Sequence, residues 1–402
     1  MRLLLFTGKG GVGKTTLAAA TAARAAARGR KVLLVSTDPA HSLSDALGVA
    51  LDGQPREVDL GGPASAAEIR TRALLDDAWE ELREHLRTIL LGAGVGELDA
   101  AELTSLPGVE ELLALSEVHR LASSGPWDAV IVDCGPTAET LRLLALPESL
   151  SGYLERLFPT HRRVVRGLLA NVAGSDNVER WDAVADALGR LGERLAALRE
   201  LLTGAGTSVR LVLTPESVVA AETRRTLTAL ALQQIRVDGL VANRLAPDPG
   251  DESGTAAEWL RTRRAEQQRA LAELRESAQL PVRAVEHRAA EPVGAEALSD
   301  LAEELCADED PLADTGSTGT IELCGPAGGD GAEYTLRIGL PVHQGAEVGL
   351  SRVADELAVT VDGRRRMVAL PPVLRRCVVT SAVAGDDGLS VGFRPDPDVW
   401  MR

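Results

Sequence analysis

The sequence of 402 residues lacks any apolar run of about 18 residues or more, so we expect no membrane-spanning helix. It does not begin with the basic segment and apolar run of a secretory signal, and we therefore expect a cytoplasmic protein. Cysteines are few and far apart, and none forms a Cys-x-x-Cys pair, which favours reduced, buried thiols over a disulfide framework. These cysteines are Cys134, Cys306, Cys324 and Cys377.

An excess of basic charge is also absent, because 43 lysines and arginines face 59 aspartates and glutamates, for a net charge of −16. Non-specific binding to nucleic acid depends on clustered cations, so we expect no nucleic-acid partner. Lysine itself is rare, since only Lys9, Lys14 and Lys31 occur among these basic residues. Two of the three fall in one glycine-rich stretch, where a compact ammonium is not replaceable by a planar guanidinium.

That glycine-rich stretch organises the start of the chain. It follows the apolar run Leu3 to Thr7 and precedes a run from Leu17 to Ala27 that contains no glycine or proline, which predicts a strand, a tight loop and a helix. The spacing of its glycines, lysine and threonine fits the phosphate-binding P-loop. The predicted ATP-binding residues here are Gly8, Lys9, Gly10, Gly11, Val12, Gly13, Lys14, Thr15 and Thr16.

The chemistry of these residues predicts ATP and Mg²⁺ as ligands. Glycines let the backbone curl around an anion with its N–H groups directed inward, and the following helix adds the positive end of its dipole. Lys14 is placed to reach the β- and γ-phosphates, and the Thr15 hydroxyl to bind Mg²⁺. Asp133 ends the apolar strand Ala129 to Val132, which fits the Walker B role of holding Mg²⁺ through water.

A second loop carries a candidate for the hydrolysis step. Lys31 to Ser36 reads as a buried strand, and Asp38 follows it at the carboxyl end, where open α/β sheets bind ligands. Asp38 is therefore a candidate catalytic residue that orients and activates a water on the γ-phosphate. Taken alone, the dipeptide Asp38-Pro39 also fits a simple turn.

The P-loop itself resembles that of a known class. Lys-Gly-Gly-Val-Gly-Lys-Thr, residues 9 to 15, resembles the deviant P-loop ATPases, which include partitioning ATPases, nitrogenase iron protein and the arsenite-pump and tail-anchored-protein-targeting branch. In that class the early lysine reaches across a dimer to the partner's nucleotide. The resemblance thus implies a homodimer, with Lys9 and Lys14 both neutralising charge during hydrolysis. Residues 38 to 45 resemble switch I of the arsenite-pump and targeting branch in particular.

Other segments follow this branch with departures. Residues 133 to 144 resemble its switch II but differ at four positions, so the detail of γ-phosphate sensing stays open. Asn243, after the predicted strand Val237 to Ala242, stands where the branch places an adenine-contacting asparagine, although such a residue is also a common turn former. The branch's zinc-binding Cys-x-x-Cys is missing, so no structural zinc is expected. The four departures are Cys134, Gly135, Ala138 and Glu139.

Alternating strands and helices over residues 1–305 predict a doubly wound, mostly parallel α/β P-loop ATPase domain. Leucine stripes at helical spacing predict an inserted helical subdomain at about 66–125 and 147–205. In members of the branch, the helical subdomain binds the hydrophobic helices of client proteins, and the resemblance implies the same use here. The alternative is that the leucine stripes only pack on each other as a core. An acidic linker at 306–317 precedes short alternating strands at 318–402, an all-β sandwich that resembles a small-heat-shock (HSP20-like) domain, with another sandwich as the alternative.

Three functions compete for such a chain. The first is a dimeric ATPase that binds and releases a hydrophobic protein segment, in a targeting or chaperone role. The second is the ATPase subunit of an arsenite or anion efflux system, against which the single P-loop and the lack of clustered thiols count. The third is a positioning switch of the partitioning kind, whose usual basic patch or terminal amphipathic helix is not seen. The sequence leaves the client and any membrane receptor open.

Overall fold

The computed structural model describes residues 1–38, 42–69, 109–135, 193–194, 196–278, 280–313, 321–325, 333–339, 347–385 and 388–400. Most of the predicted helical subdomain and parts of both predicted switch segments lie outside the described residues. The segments concerned are 39–41, 70–108 and 136–192.

The central sheet is mostly parallel and has eight strands. They are β1 (Arg2–Gly8), β2 (Val32–Ser36), β3 (Arg56–Asp59), β4 (Pro63–Glu68), β5 (Ala129–Asp133), β6 (Thr207–Leu213), β7 (Val237–Leu245) and β8 (Val282–Glu286). Their order is β3-β4-β2-β5-β1-β6-β7-β8. The predicted α/β fold class is therefore confirmed.

Helices connect these strands as the alternating pattern predicts. They are α1 (Lys14–Ala27), α2 (Ser42–Leu47), α3 (Val109–Ser124), α4 (Ser217–Leu232), α5 (Thr255–Ala278) and α6 (Gly294–Cys306). Residues 196–203 are also helical, apart from these labelled elements. The helix α1 is rich in alanine and buries most of its length, which lets its backbone pack closely against neighbouring elements.

The strands β2 and β5 are buried along their whole length, as their continuous apolar sequences predict. They pair in parallel, and the register ends with Ser36 opposite Asp133. A parallel register brings both carboxyl ends to the same edge of the sheet. This pairing therefore places the start of predicted switch I beside the start of predicted switch II.

One prediction at the edge of the helical subdomain is wrong. Residues 66–68 were expected to be helical, but they form the end of β4, which pairs in parallel with β2. Ala66 and Ala67 are fully buried there. The high helix propensity of alanine is thus overridden by burial between neighbouring strands. The helix α3 does fall within the segment that was expected to be helical.

The chain divides into two compact units, one made of Met1–Leu3, Thr15–Gly206 and Val293–Asp300, the other of Leu4–Lys14, Thr207–Pro292 and Leu301–Arg402. The first unit contains β2, β3, β4 and β5 with their helices. The second contains β6, β7, β8 and the C-terminal strands. The domain boundaries drawn from the sequence remain predictions.

The C-terminal residues form two small antiparallel sheets. The strands are β9 (Ile321–Cys324), β10 (Tyr334–Ile338), β11 (Val348–Val353), β12 (Glu356–Val361), β13 (Arg364–Ala369), β14 (Cys377–Gly385) and β15 (Gly388–Pro395), with a 3₁₀ turn at Leu374–Arg376 and a final helix α7 (Pro397–Trp400). One sheet has the order β14-β15-β10-β9 and the other β11-β12-β13. The predicted all-β sandwich is therefore confirmed.

The sandwich core extends onto a helix of the second unit. Buried side chains from both small sheets, such as Leu336 of β10 and Val359 of β12, form one apolar cluster with Ala231 and Leu232 at the end of α4. The buried Arg366 donates a hydrogen bond of 3.5 Å from Nη1 to the Ala231 carbonyl oxygen. A cation at a helix C-terminus complements the helix dipole and satisfies a terminal carbonyl. The sandwich is thus anchored to α4.

The start of the predicted linker is also anchored. Arg210 in β6 is buried and pairs with the buried Asp238 in β7, with nitrogen–oxygen distances of 3.2 and 2.8 Å. Its Nη2 also donates to the Pro311 carbonyl oxygen at 3.2 Å. The guanidinium lies 5.7 Å from the centre of the Phe6 ring. One buried arginine therefore ties the linker to two strands of its unit.

Among the described residues, no helix combines the length and the apolar composition that a bilayer crossing requires.

Candidate functional site

The phosphate loop lies in the second unit, between β1 and α1. A Cβ placed on Gly8 would collide with the Val212 carbonyl oxygen, and one on Gly13 would collide with Nδ2 of Asn243. Gly13 also has a φ of +92°, a conformation that side chains rarely adopt. The Asn243 amide donates to the Val12 carbonyl oxygen at 2.8 Å. The end of β7 therefore supports the loop directly.

The inner part of the loop is open. A Cβ on Gly10 or Gly11 would meet no atom within 4 Å. The helix α1 begins at Lys14 and carries no acidic residue of its own in its first turn, where the positive end of its dipole lies. Free backbone N–H groups at the start of a helix bind anions. The loop is thus suited to a phosphate group.

The two lysines of the loop have different surroundings. The Lys14 side chain is buried, with 5% of its surface exposed, and its Nζ donates to the Lys9 carbonyl oxygen at 3.3 Å. The Lys9 side chain is exposed, and its Nζ lies 4.0 Å from Oε2 of Glu222 on α4. Lys14 therefore belongs to the interior of the loop, whereas Lys9 extends to the surface.

A hydrogen-bonded cluster of oxygen side chains lies in the first unit. The Asp133 carboxylate is fully buried, and its Oδ2 accepts from the Thr15 hydroxyl at 2.7 Å and from the Ser36 hydroxyl at 2.9 Å. The hydroxyl oxygens of Thr15 and Ser42 are 2.8 Å apart. The structure thus brings together the two residues that the sequence assigned to Mg²⁺. Thr16 follows them, half-buried, in the first turn of α1.

Asp38 is connected to this cluster through the backbone. Its N–H donates to the Ser36 hydroxyl oxygen at 3.3 Å. The preceding residue, Thr37, donates its N–H to the Asp133 carbonyl oxygen at 2.9 Å. The segment that leaves β2 is therefore fixed to the end of β5 by both main-chain and side-chain bonds.

The far end of the predicted switch I is anchored as well. In α2, the Ser44 hydroxyl donates to Oε2 of Glu68 at 2.9 Å, and its N–H donates to Oε1 at 3.3 Å. Glu68 is buried at the end of β4. Residues on both sides of 39–41 thus hydrogen-bond to strand ends of the sheet.

The donors around Thr15 fit a magnesium ion. Hydroxyl and carboxylate oxygens are the hard ligands that Mg²⁺ prefers, and it is usually held by one or two carboxylates together with substrate phosphates. Asp133 supplies one buried carboxylate, with Thr15 beside it. Within the described ranges, no three histidine, cysteine, aspartate or glutamate side chains are grouped as an all-protein metal cage would require.

Gln267 was not singled out in the sequence, yet it fixes the backbone around Asn243. Its Nε2 donates to the Arg244 carbonyl oxygen at 3.1 Å, and its Oε1 accepts from the Ala246 N–H at 2.7 Å. Gln267 is buried on α5. Arg244 has a φ of +61°, which an amide clamp of this kind helps to hold.

Three further residues of the site were missed. Ser36 and Ser42 contact the Asp133 and Thr15 side chains, and Glu222 lies beside Lys9. Two of them had a usable signal in the sequence. Ser36 ends a buried strand whose parallel neighbour ends in an aspartate, and Ser42 lies within the segment that resembles switch I. The position of Glu222 beside Lys9 depends on tertiary packing that no local pattern encodes.

Comparison with known proteins gives matches along the whole chain. The sequence model of the family described as anion-transporting ATPase matches residues 1–307, and that of an HSP20-like domain found in ArsA matches residues 331–393. Protein Rv2184c of Mycobacterium tuberculosis is 39% identical over 417 residues, which cover 99% of this chain and 97% of its own.

Two other relatives carry functional names. A Chlorobaculum tepidum protein, provisionally named an arsenical pump-driving ATPase, is 33% identical over 399 residues, or 98% of this chain and 96% of its own. The ATPase GET3B of Arabidopsis thaliana is 32% identical over 297 residues, or 68% of this chain and 70% of its own.

Proposed function

Because the chain belongs to the anion-transporting ATPase family and is an ATP hydrolase, we propose that it acts as a homodimeric, Mg²⁺-dependent switch. In this proposal, hydrolysis is coupled to the binding and release of a hydrophobic protein segment, in a targeting or chaperone role. The observation that carries the proposal is a set of hydrogen bonds, in which Thr15, Ser36 and Thr37 donate to Asp133 and the N–H of Asp38 donates to Ser36.

These bonds matter because they join Thr15, in the first turn of α1, to the starts of both predicted switches. A γ-phosphate that contacts the first residues of α1 and the segment after β2 would favour one arrangement of the switches, and its loss would relax them. Residues 39–41 and 136–144 continue directly from Asp38 and Gly135. In the proposal, the helical subdomain predicted beyond them changes its affinity for the client.

Different residues of the chain serve different parts of the hydrolysis reaction. The loop N–H groups and Lys14 hold the phosphates, and Asp38 orients a water for in-line attack on the γ-phosphorus. Lys14 and Lys9 of the partner subunit neutralise the charge that develops. A bound Mg²⁺, held by Thr15 and through water by Asp133, would neutralise the β- and γ-phosphate oxygens.

Asn243 has a further role in this proposal. It lies against the loop at Val12, and its amide offers both a donor and an acceptor to an adenine ring.

We also propose that the protein is cytoplasmic and has no nucleic-acid partner, in line with its net charge of −16.

The test is capture of clients by a variant that is arrested before hydrolysis. Asp38→Asn should bind ATP but turn it over at least about 100-fold more slowly than the wild type. With ATP and Mg²⁺ present, it should retain a peptide bearing a hydrophobic helix, whereas Lys14→Ala should not. If Asp38→Asn hydrolyses ATP normally, or never retains the peptide, the switch proposal is wrong.

The dimer is tested separately with Lys9→Ala. Because Lys9 is exposed, its loss should leave the fold and the binding of ATP to each subunit intact. Hydrolysis should fall if the lysine acts across the dimer, and light scattering should show a dimer in the ATP-bound wild type. Normal hydrolysis by Lys9→Ala would exclude the cross-subunit role.

A second candidate function, the energising of arsenite or anion efflux, is favoured by the name of the Chlorobaculum tepidum relative. Arsenite binds soft thiolate ligands. The thiols of this chain stand far apart in sequence, and Cys134, Cys306 and Cys377 are buried. Stimulation of ATP hydrolysis by arsenite, and its loss on replacing the cysteines, would favour efflux over client handling.

A further inference from the structure

We propose that Ser36 is a positioning residue for hydrolysis, whose hydroxyl couples Asp38 to Asp133. This inference rests on the proposed function of those two aspartates. Ser36 would touch neither the nucleotide nor the attacking water, and would act through the two residues that do.

The geometry shows a hydroxyl that serves both sides at once. Ser36 is fully buried at the end of β2 and lies opposite Asp133 in the strand register. Its Oγ donates to Oδ2 of Asp133 at 2.9 Å and accepts from the N–H of Asp38 at 3.3 Å. One side chain therefore bonds to each of the two carboxylate residues with opposite ends of the same O–H group.

Few side chains can replace this one. A hydroxyl is a donor and an acceptor in one small group, and alanine is neither. Hydrogen bonds to a buried carboxylate are stronger than neutral ones because charge assists them. Thr15 has its own hydrogen bond to Oδ2 of Asp133, and that bond does not pass through Ser36. The Ser36 hydroxyl thus links the backbone of Asp38 directly to the Asp133 side chain.

This geometry predicts that the Ser36 hydroxyl affects the turnover of ATP and not its binding. The Ser36 hydroxyl bonds to Asp133 and to Asp38, which the proposal assigns to Mg²⁺ and to the attacking water and not to the holding of the phosphates. Loss of the hydroxyl should therefore leave the affinity for ATP nearly unchanged. It should lower kcat, because the backbone of Asp38 and the carboxylate of Asp133 each lose a hydrogen bond.

The experiment compares Ser36→Ala, Ser36→Cys and Ser36→Thr in the full chain. Thr21→Val is the control, because Thr21 is also fully buried and its hydroxyl donates only to the Leu17 carbonyl oxygen, at 2.7 Å. Steady-state ATP hydrolysis gives kcat and KM. Hydrogen–deuterium exchange of the nucleotide-free proteins follows the peptide that covers residues 32–38 and gives a readout independent of activity.

We expect kcat of Ser36→Ala to fall about 10- to 100-fold with KM changed less than about threefold, which is the range for losing one hydrogen bond to a charged group. Exchange at the end of β2 should accelerate. Ser36→Thr, which keeps the hydroxyl, should recover most of kcat, and Thr21→Val should match the wild type. The thiol of Ser36→Cys is close in size to the hydroxyl but is only a weak donor, so this variant should resemble Ser36→Ala. If Ser36→Ala does not fold, Ser36→Cys serves in its place.

Two results would overturn the proposal. One is a normal kcat in Ser36→Ala and Ser36→Cys. The other is exchange at residues 32–38 that does not differ from that of the wild type. If Ser36→Ala is normal while Asp38→Asn and Asp133→Asn are inactive, only the role of Ser36 fails. If the wild type is active and Asp38→Asn is equally active, the proposed function itself fails.

Discussion

Among individual residues, two glycines of the phosphate loop make a matched pair. Gly13 has a φ of +92°, and a Cβ there would collide with the Asn243 amide, whereas a Cβ on Gly10 would meet nothing within 4 Å. Without nucleotide, Gly13→Ala should lower the free energy of unfolding by about 1–2 kcal/mol or more, because a left-handed backbone is strained in alanine. Gly10→Ala should leave it within about 0.5 kcal/mol.

Urea denaturation of the two nucleotide-free variants checks this prediction. Gly10→Ala is the control for adding a methyl group to the same loop. Equal stabilities would mean that Asn243 does not press against the loop at Gly13 in solution. Binding of ATP is a separate measurement, because a methyl group at either position can obstruct a phosphate.

The thiols give a second prediction at this level. Burial raises the pKa of the Cys377 thiol, and its Sγ donates to the Val373 carbonyl oxygen at 3.3 Å. Since the thiolate is the reactive form, Cys377 should react with iodoacetamide more slowly than the half-buried Cys324. Its rate should keep rising above pH 9, where an ordinary thiol with a pKa of about 8.5 levels off.

Mass spectrometry of the alkylated peptides follows both sites in one sample. In urea the two cysteines should react at similar rates, which controls for the intrinsic reactivity of each peptide. A folded-state rate for Cys377 equal to that of Cys324 would contradict the raised pKa.

Single residues also show where sequence reasoning was sufficient. Thr15 and Asp133 stand 118 positions apart, and their closeness was implied because the sequence assigned both to one Mg²⁺ ion. Ser36 and Gln267 were missed, because a serine at a strand end and a glutamine in a helix are ordinary residues until the register and the packing are known.

For single elements, the pairing of β6 with β7 contains a buried ion pair whose loss should be severe. Arg210→Met leaves the buried Asp238 without its guanidinium partner, so the free energy of unfolding should fall by about 3–5 kcal/mol. The double variant Arg210→Met with Asp238→Leu should recover much of this loss, since no carboxylate then stays buried.

The exposed pair between Arg263 and Glu216, at 2.7 Å, is the control. Arg263→Met should cost no more than about 1 kcal/mol, because solvent screens that pair. Guanidinium denaturation compares the four proteins. A double variant as unstable as Arg210→Met would mean that the bond to the Pro311 carbonyl oxygen, and not the ion pair, dominates.

Elements differ in how well their sequences predicted them. The strands β2 and β5 were evident because continuous apolar runs of that length fit a parallel sheet. The end of β4, residues 66–68, was mistaken for helix, since Pro63–Glu68 is rich in alanine and only the pairing with β2 decides its state. The strands β9 and β11 were not identified, and both are largely exposed with no clear apolar alternation.

For the chain as a whole, the shared cluster of α4 and the sandwich predicts coupled stability. Leu232 is 3% exposed within this cluster, so Leu232→Ala should lower the free energy of unfolding by about 2–5 kcal/mol and accelerate hydrogen exchange in β10 and β15. Leu227 lies on the same helix, is fully buried and is not part of the cluster.

Leu227→Ala is therefore the matched control. It should accelerate exchange around α4 and leave β10 and β15 as in the wild type. Exchange measured by mass spectrometry on the full chain separates the two outcomes. If both variants leave the sandwich strands unaffected, α4 and the sandwich do not share a core in solution.

The order of the two folds along the chain was predictable, because a change from helical to alternating periodicity marks it. The attachment of the sandwich to α4 was not predictable from the sequence. It depends on two apolar residues at the end of α4, Ala231 and Leu232, which have the sequence of an ordinary helix end.

The strand β14 has a consequence for handling the protein. Among the described strands it lies at an edge of its sheet, and after Cys377 it is exposed along its length and carries no charge. Edges of this kind adhere to one another, and the net charge of −16 opposes such contacts through repulsion between molecules. Colloidal stability should therefore decline as salt screens that repulsion, so dilute, low-salt buffers near neutral pH are the conditions for keeping concentrated samples monodisperse.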